Sequence, residues 1–376
     1  MLITGATIFT GDSLVSGLGV RLAQGRVAEA GEGLTPAPGE RTVDLGGDYL
    51  LPGFVDVHIH AFRGHDTMRG EADIRAMSRD LYNEGVALFC PTTMSASVEE
   101  TRTAVLAAEA VRLTPEARGA RVAGAHMEAP FLSPEKAGAQ MKQYFQSPSW
   151  SAFEAMTGGL TGAVRLITLA PELPGSEAFI RRAAAEGIHV SVGHTAATAA
   201  QTHLAADWGA DHVTHTFNAQ TPLHHREPGV PGASLVDDRL YCELIADGVH
   251  LHPDAVRLLV RCKGARRAVA ITDAMEAAGL PDGGYSLGGQ RVIVRGAEAR
   301  LENGTLAGSV LTLRLALENL IHRFGIAPEA ACAMCTSTPA ASIGEEKAGR
   351  IRPGSPAPLT RWSADWRWMG ILDGCN

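Results

Sequence analysis

The sequence predicts an α/β fold: a (β/α)8 TIM-like barrel carrying a small discontinuous β-sandwich made from its N- and C-terminal segments. Three observations point there. Between residues 54 and 272, eight short apolar runs alternate with helical stretches. Residues able to bind metals or protons gather immediately after those runs. Both ends of the chain instead carry short segments punctuated by Gly and Pro, which suit hairpins better than barrel units. The predicted layout is residues 1–51 for the first part of the β domain, 52–345 for the barrel and 346–376 for the returning part.

At 376 residues the chain is longer than a usual single core, and a barrel with a small companion accounts for the length. Hydrophobic residues make up 45% and aromatic residues 5%, so aliphatic side chains must fill the core. A net charge of −8 with no long run of one sign argues against nucleic acid or an anionic membrane as main partner, while leaving room for a local basic pocket. The six cysteines are scattered; Cys332 and Cys335 sit in an Ala-rich helical context without a second pair, which reads as buried thiols rather than a zinc or redox motif. The N-terminus shows no charged segment followed by an apolar one, and no run of about 18 apolar residues occurs. The expectation is a reduced, cytoplasmic protein that does not span a membrane.

In chain order, residues 2–9, 19–22, 26–29 and 41–44 alternate as strands, interrupted by Pro36-Ala37-Pro38-Gly39. The eight barrel strands fall at 54–58, 86–91, 122–127, 164–169, 189–193, 213–215, 241–246 and 268–272. Helical patterns occupy 72–84, 98–112, 177–186, 197–208 and 253–261. Beyond the eighth strand, residues 285–305 read as a hairpin inserted in the last loop, and 311–324 as a helix. The tail from Gly349, with Pro353, Pro356, Pro358, Trp362, Trp366 and Trp368, is expected to return and pair with the N-terminal β segments.

The chemistry begins at Pro52-Gly53-Phe54-Val55-Asp56-Val57-His58-Ile59-His60. Two histidines two residues apart on an extended chain share a side and face one centre, and neutral imidazole is a common metal ligand. An isolated His-x-His in a polar loop needs no metal, so the other strand ends decide. Glu128 follows strand three, His194 strand five, His215 strand six and Asp273 strand eight, and strand seven leads to Asp247 and His250. Five of eight strand ends thus carry His, Glu or Asp and a sixth carries Asp247 with His250; fourteen histidines placed without regard to fold would not favour the same ends. The pattern points to a metal site at the C-terminal mouth of the barrel. His126, His189, His203, His212 and His322 lie within or before apolar runs or in helices and read as packing or surface residues. Asp56, inside strand one, reads as a supporting residue rather than a ligand.

The strand-one stretch, His126-Met127-Glu128-Ala129-Pro130-Phe131-Leu132-Ser133-Pro134, Gly193-His194-Thr195, Thr214-His215-Thr216-Phe217-Asn218-Ala219, His225-Arg226-Glu227-Pro228-Gly229, Ile245-Ala246-Asp247-Gly248-Val249-His250, Thr272-Asp273-Ala274 and Leu306-Ala307-Gly308-Ser309 occur in this order. Together they resemble the N-acetylglucosamine-6-phosphate deacetylase family of the amidohydrolase superfamily, from about residue 50 to 345. The tail resembles that family weakly: where related chains carry a conventional strand ending, this one reads Ala357-Pro358-Leu359-Thr360-Arg361-Trp362.

The resemblance implies that Glu128, His194 and His215 bind one divalent metal, with His58 and His60 providing for a second that Glu128 can bridge. One or two ions per subunit are implied, and His and carboxylate ligands suit Zn, Fe, Co or Mn alike. Many amidohydrolases bridge their metals with a carboxylated lysine; none of Lys136, Lys142, Lys263 and Lys347 closes a barrel strand, which fits Glu128 in that role. Asp273 would shuttle the proton during hydrolysis of the acetamide. His250 would contact the sugar, and Asn218, Ala219, His225 and Arg226 its phosphate. Ala139, Gln140 and Leu306 complete the implied substrate contacts. Family members are commonly homodimers, in which Arg226 would approach the neighbour's site. The implied reaction is deacetylation of N-acetylglucosamine 6-phosphate in amino-sugar metabolism. The rival readings are the galacto epimer or another N-acyl substrate, and a silent barrel scaffold, which would lack the ligands that this chain retains. Two departures stand out: Ala129 replaces the family's Gly, and Gln140 stands where His is usual.

Overall fold

The computed structural model describes residues 1–374. Cys375, one of the six cysteines, lies outside the described residues. Cys332 and Cys335 are buried free thiols, as their context predicts; Cys90 and Cys242 are also buried free thiols, and Cys262 is an exposed one.

Eight parallel strands wind in sequence order: Phe54–Ile59, Val86–Thr93, Ala125–Met127, Val164–Leu169, His189–Val192, His212–Val213, Tyr241–Ile245 and Ala268–Ile271. Helices cover the outer face, so the strands are buried on both sides and read as nearly continuous apolar runs. The seam between the eighth strand and the first is drawn together at its C-terminal end. There the Asp273 N–H donates to the His58 carbonyl at 2.8 Å, and the His60 and Ala61 N–H groups share the Ala274 carbonyl at 3.0 Å. Inside the seam, the Asp56 carboxylate accepts from the Thr272 hydroxyl at 2.6 Å.

Two strands differ from expectation. The third is broken into Arg121–Val122 and Ala125–Met127, with Gly124 at φ 143° in the break. The sixth is only His212–Val213, since His215 (φ 28°) and Phe217 (φ 81°) carry the chain out of extended space.

The five predicted helices are present as Glu71–Asn83, Val98–Leu113, Ser176–Ala185, Ala199–Trp208 and Pro253–Lys263. Val98–Leu113 opens on a capping box between Ser97 and Glu100, which satisfies two otherwise unpaired N–H groups. Gly229–Val236 is a further helix that the sequence hides behind Gly229, Pro231 and Gly232. The helix expected over 311–324 is Leu313–Glu318 followed by a π-helical turn, Asn319–Arg323. The insert after strand eight is a three-stranded antiparallel sheet (Gly283–Leu287, Gln290–Arg295, Glu298–Leu301), not a single hairpin. Its Leu287, Val292 and Val294 pack with Met94 and Met275 beside the barrel mouth.

The terminal segments form two sheets. One orders Arg26–Glu32, Leu18–Ala23, Leu2–Thr4 and Thr42–Asp44; the other orders Trp368–Leu372, Leu359–Trp362, Tyr49–Pro52, Thr7–Phe9 and Leu14–Ser16. The tail strand runs antiparallel to Tyr49–Pro52, with Leu359 opposite Pro52 and Trp362 opposite Tyr49. Ile3, Ile8, Val20 and Leu50 are among the side chains filling a separate small core between the sheets. Among the described residues, no helix is long and apolar enough to cross a membrane.

Candidate active site

Sharp backbone turns after the strands aim the site. His194 (φ 46°), His215 (φ 28°) and Asp273 (φ 49°) all adopt left-handed backbone, which side-chain-bearing residues avoid unless the surroundings hold them there. Each is braced: the His194 carbonyl accepts from Ser133 N–H, and Asp273 N–H donates to His58. The His215 N–H donates to a side chain, Glu243 Oε2, at 3.1 Å.

These turns bring Glu128, His194 and His215 together as one group of potential metal ligands, and His58, His60 and Asp273 as a second. Glu128 lies between them. Its Oε1 is 3.2 Å from His194 Nε2, 3.1 Å from His215 Nε2 and 3.3 Å from His58 Nε2, while Oε2 is 3.3 Å from His60 Nε2. Asp273 Oδ1 is 3.2 Å from His60 Nε2 and 3.6 Å from His58 Nε2.

The ring orientations test whether a cation fits. His60 Nδ1 faces the Thr92 carbonyl at 3.2 Å and His194 Nδ1 the Lys136 carbonyl at 2.8 Å. Carbonyls only accept, so these nitrogens carry the hydrogen and each Nε2 turns a lone pair inward. His58 is oriented likewise by Glu243 Oε2, 3.1 Å from its Nδ1. The inward nitrogens face one another, His194 to His215 at 3.1 Å and His58 to His60 at 3.4 Å, among carboxylate oxygens. Lone pairs so arranged repel unless a cation lies between them. With metal–nitrogen bonds of about 2.0–2.1 Å, donors on a tetrahedron sit ~3.3 Å apart, so the spacing also suits a divalent ion. A third group, His189, Asp211 and His212, differs. Its nitrogen–oxygen distances are 2.6 and 2.7 Å, those of charge-assisted hydrogen bonds, and it lies at strand starts, away from the mouth.

The carboxylates make this centre favour positive charge, which imidazole protons supply when no ion does. Burial works to lower the His60 imidazole, but Asp273 and Glu128 outweigh it and lift the group to about 9. His58 rises well above its ordinary value against the same burial cost, through Glu128 and Asp273. Burial would raise both carboxyls, yet the histidines hold Glu128 well below its usual range and Asp273 below its own. Asp56, by contrast, is pushed up to about 7 because burial outweighs the hydrogen bonds from Thr272 and His58. Burial lowers His250, but the Asp247 carboxylate, 2.7 Å from its Nδ1, more than offsets this and raises it.

A cavity of about 370 Å³ opens over this cluster, lined by His60, Glu128, His194, His215, Asp273, His250, Asn218, Ala219, Ala139, Gln140 and Leu306. His58 lies beneath it, fully buried. Gln140 faces the cluster directly: its carbonyl accepts from Ser95 N–H, which leaves the amide to donate to Glu128 Oε2. Asn218 turns its amide back onto the His215 carbonyl at 3.2 Å and so stiffens the ligand loop. His225 and Arg226 lie instead on an exposed loop outside this cavity, with Arg226 Nη1 2.8 Å from His225 Nε2. His126 is a buried packing residue under the site, bonded to Thr168 at 2.9 Å and edge-on to His58.

Lys136, Met94 and Glu243 belong to the site without having been signalled by sequence. Lys136 and Met94 are on the cavity wall. Glu243 was legible in one respect: it is a charged residue in the middle of the apolar strand Tyr241–Ile245.

The sequence profile of the Amidohydrolase family matches residues 49–370. The chain is 38% identical over 317 residues to the N-acetylglucosamine-6-phosphate deacetylase of Bacillus subtilis, covering 83% of this chain and 80% of the relative. It is 37% identical over 342 residues to the N-acetylgalactosamine-6-phosphate deacetylase of Escherichia coli O157:H7, covering 90% and 89%. Among solved structures, the N-acetylglucosamine-6-phosphate deacetylase of Pasteurella multocida superposes with a TM-score of 0.91 at 28% identity, over 99% of this chain and 97% of that one. A single-substitution mutant of the Mycobacterium smegmatis N-acetyl-D-glucosamine-6-phosphate deacetylase, solved in complex with N-acetyl-D-glucosamine-6-phosphate, gives 0.90 at 30% identity over 99% and 97%. Candidate strand-end ligands, barrel and relatives converge: the chain belongs to the amidohydrolase family, in the branch that includes these N-acetylhexosamine-6-phosphate deacetylases.

Proposed function

We propose that this protein hydrolyses the N-acetyl group of N-acetylglucosamine 6-phosphate, giving glucosamine 6-phosphate and acetate. The observation that carries the reading is the shared carboxylate: Glu128 stands between two ligand groups, with Asp273 at the edge of one of them, in a cavity sized for a monosaccharide.

Glu128, His194 and His215 would hold one divalent ion, and His58 and His60 a second; a bound ion supplies Lewis acidity toward the amide carbonyl and a water of lowered pKa. Asp273 takes the proton released as water attacks. It then returns that proton to nitrogen, because an amine leaves as a neutral molecule rather than as an anion. His250, with Nδ1 committed to Asp247, presents Nε2 to the sugar or the carbonyl. Asn218, Ala219 and Lys136 on the cavity wall receive the phosphate end, and Gln140 keeps Glu128 turned toward its histidines. Arg226 and His225 complete phosphate recognition from the neighbouring subunit of a homodimer. The reaction belongs to amino-sugar metabolism in the cytoplasm.

The test is acetate release from the gluco and galacto epimers side by side, with enzyme resupplied with Zn, Fe, Co or Mn in turn. The expected result is faster turnover of the gluco substrate. A strong galacto preference replaces the substrate, and no release from either epimer with any ion overturns the reading.

A further inference from the structure

We infer that Glu243 is a positioning residue that sets the geometry of both ligand groups at once, by fixing the ring of His58 and the backbone of His215 with a single carboxylate oxygen. The inference rests on the metal-centre part of the reading above.

Glu243 lies mid-strand in the seventh barrel strand and is fully buried. Its Oε2 is 3.1 Å from His58 Nδ1 and accepts the His215 backbone N–H, also at 3.1 Å. Its own backbone carbonyl accepts the N–H of Thr216 at 2.9 Å. One residue therefore grips strand one at its ring and the segment after strand six at two successive N–H groups. The consequences differ at the two ends. At His58, an acceptor on Nδ1 selects the tautomer whose Nε2 lone pair points at Glu128 and Asp273. At His215, the bond helps hold a residue whose φ of 28° is unfavourable for a side-chain-bearing residue and whose ring Nδ1 is buried without a hydrogen-bond partner among the described residues.

Glu243 Oε1 is itself buried and unpartnered. A carboxylate with one satisfied oxygen in a barrel core is a poor way to stabilise a fold, and a leucine would fill the space at less cost. What the carboxylate holds accounts for its presence. It ties the His58 group to the Glu128–His194–His215 group, so disturbing it should loosen both.

Glu243→Gln tests this with little change in volume, and Glu243→Leu removes the acceptor altogether. Ion affinity is read by chelator competition with Zn or Mn, alongside thermal unfolding of the metal-free protein. The expected result is a loss of ion affinity of roughly 10–100-fold in the Gln variant and more in the Leu variant, with the metal-free unfolding temperature unchanged or raised. A lowered unfolding temperature with ion affinity within twofold of the parent assigns Glu243 to folding alone and overturns the inference. Should neither variant fold, the parent protein decides: nitrogen-15 spectra of zinc-loaded, histidine-labelled enzyme should show His58 protonated at Nδ1 and bound to the ion through Nε2, and binding through Nδ1 overturns it. None of these readouts uses a sugar, so an error in the assigned substrate fails separately in the acetate assay.

Discussion

The backbone N–H of Asp273 donates to the carbonyl of His58 at 2.8 Å, and this bond is part of the closure of the barrel seam. The candidate proton carrier and a candidate ligand are thus fixed to each other by main chain. Ser309 adds a second brace, donating its N–H to the Asp273 carbonyl at 2.8 Å. The side chain is therefore free to do chemistry without carrying the structure.

Asp273→Asn should accordingly leave the fold, ion binding at Glu128, His194 and His215, and KM close to the parent while lowering kcat by about 10²–10⁴-fold, the usual reach of a positioned acid–base group. Steady-state acetate release and elemental analysis on one preparation measure both. A kcat within tenfold of the parent would remove Asp273 from the mechanism.

The two ligand groups should not weigh equally. Glu128 Oε1 makes its shortest approaches to His215 and His194, at 3.1 and 3.2 Å, whereas His60 meets the distal Oε2 at 3.3 Å, where Gln140 also donates. His215→Asn should therefore purify without a tightly held ion and show no turnover. His60→Asn should retain about one ion per chain and measurable activity. Metal analysis after gel filtration distinguishes them, and equal ion loss in both variants would mean that the groups act as one.

The sequence made the barrel and its candidate ligand groups legible for the same reason. Strands buried on both faces must be apolar, so the polar residue that ends each run stands out, as His58, Glu128, His194, His215 and Asp273 do. What stayed hidden depends on long-range packing. Glu243 looks like a strand residue until the fold brings it to His58, 185 positions away. The helix Gly229–Val236 contradicts its own Gly and Pro content, and the short sixth strand ends on backbone angles that no residue pattern announces. The third strand of the insert, Glu298–Leu301, is too polar and short to stand out.

Arg226 offers a direct test of the proposed homodimer. It is exposed and absent from the cavity wall of its own chain. Arg226→Ala should raise KM for the phosphorylated substrate about 10–100-fold, as expected for a lost charge-assisted hydrogen bond, with kcat little changed. Unphosphorylated N-acetylglucosamine should be turned over as by the parent; an equal loss on that sugar would argue against a phosphate role. Mixing settles the direction of reach. Co-purified Arg226→Ala and Asp273→Asn subunits recover a low-KM site only if the arginine crosses to a neighbour that keeps Asp273. Without recovery, Arg226 serves its own chain.

The returning tail should matter to stability and not to chemistry. Trp362 is fully buried, meets Phe54 of the first barrel strand edge-on with ring centroids 6.2 Å apart, and packs against Trp368 at 5.4 Å. Nearby, Trp366 stacks on Tyr49 at 4.1 Å. These rings bind the terminal sheet to the start of the first barrel strand, the end opposite the candidate metal ligands. Trp362→Ala leaves a large cavity there and should cost about 3–5 kcal/mol, seen as a lower urea midpoint. At temperatures where the variant remains folded, kcat and KM should stay within about twofold, because every proposed ligand and the proton carrier lie at or beyond the C-terminal strand ends. A large fall in kcat with the urea midpoint unchanged would instead mean that the terminal sheet reaches the active site.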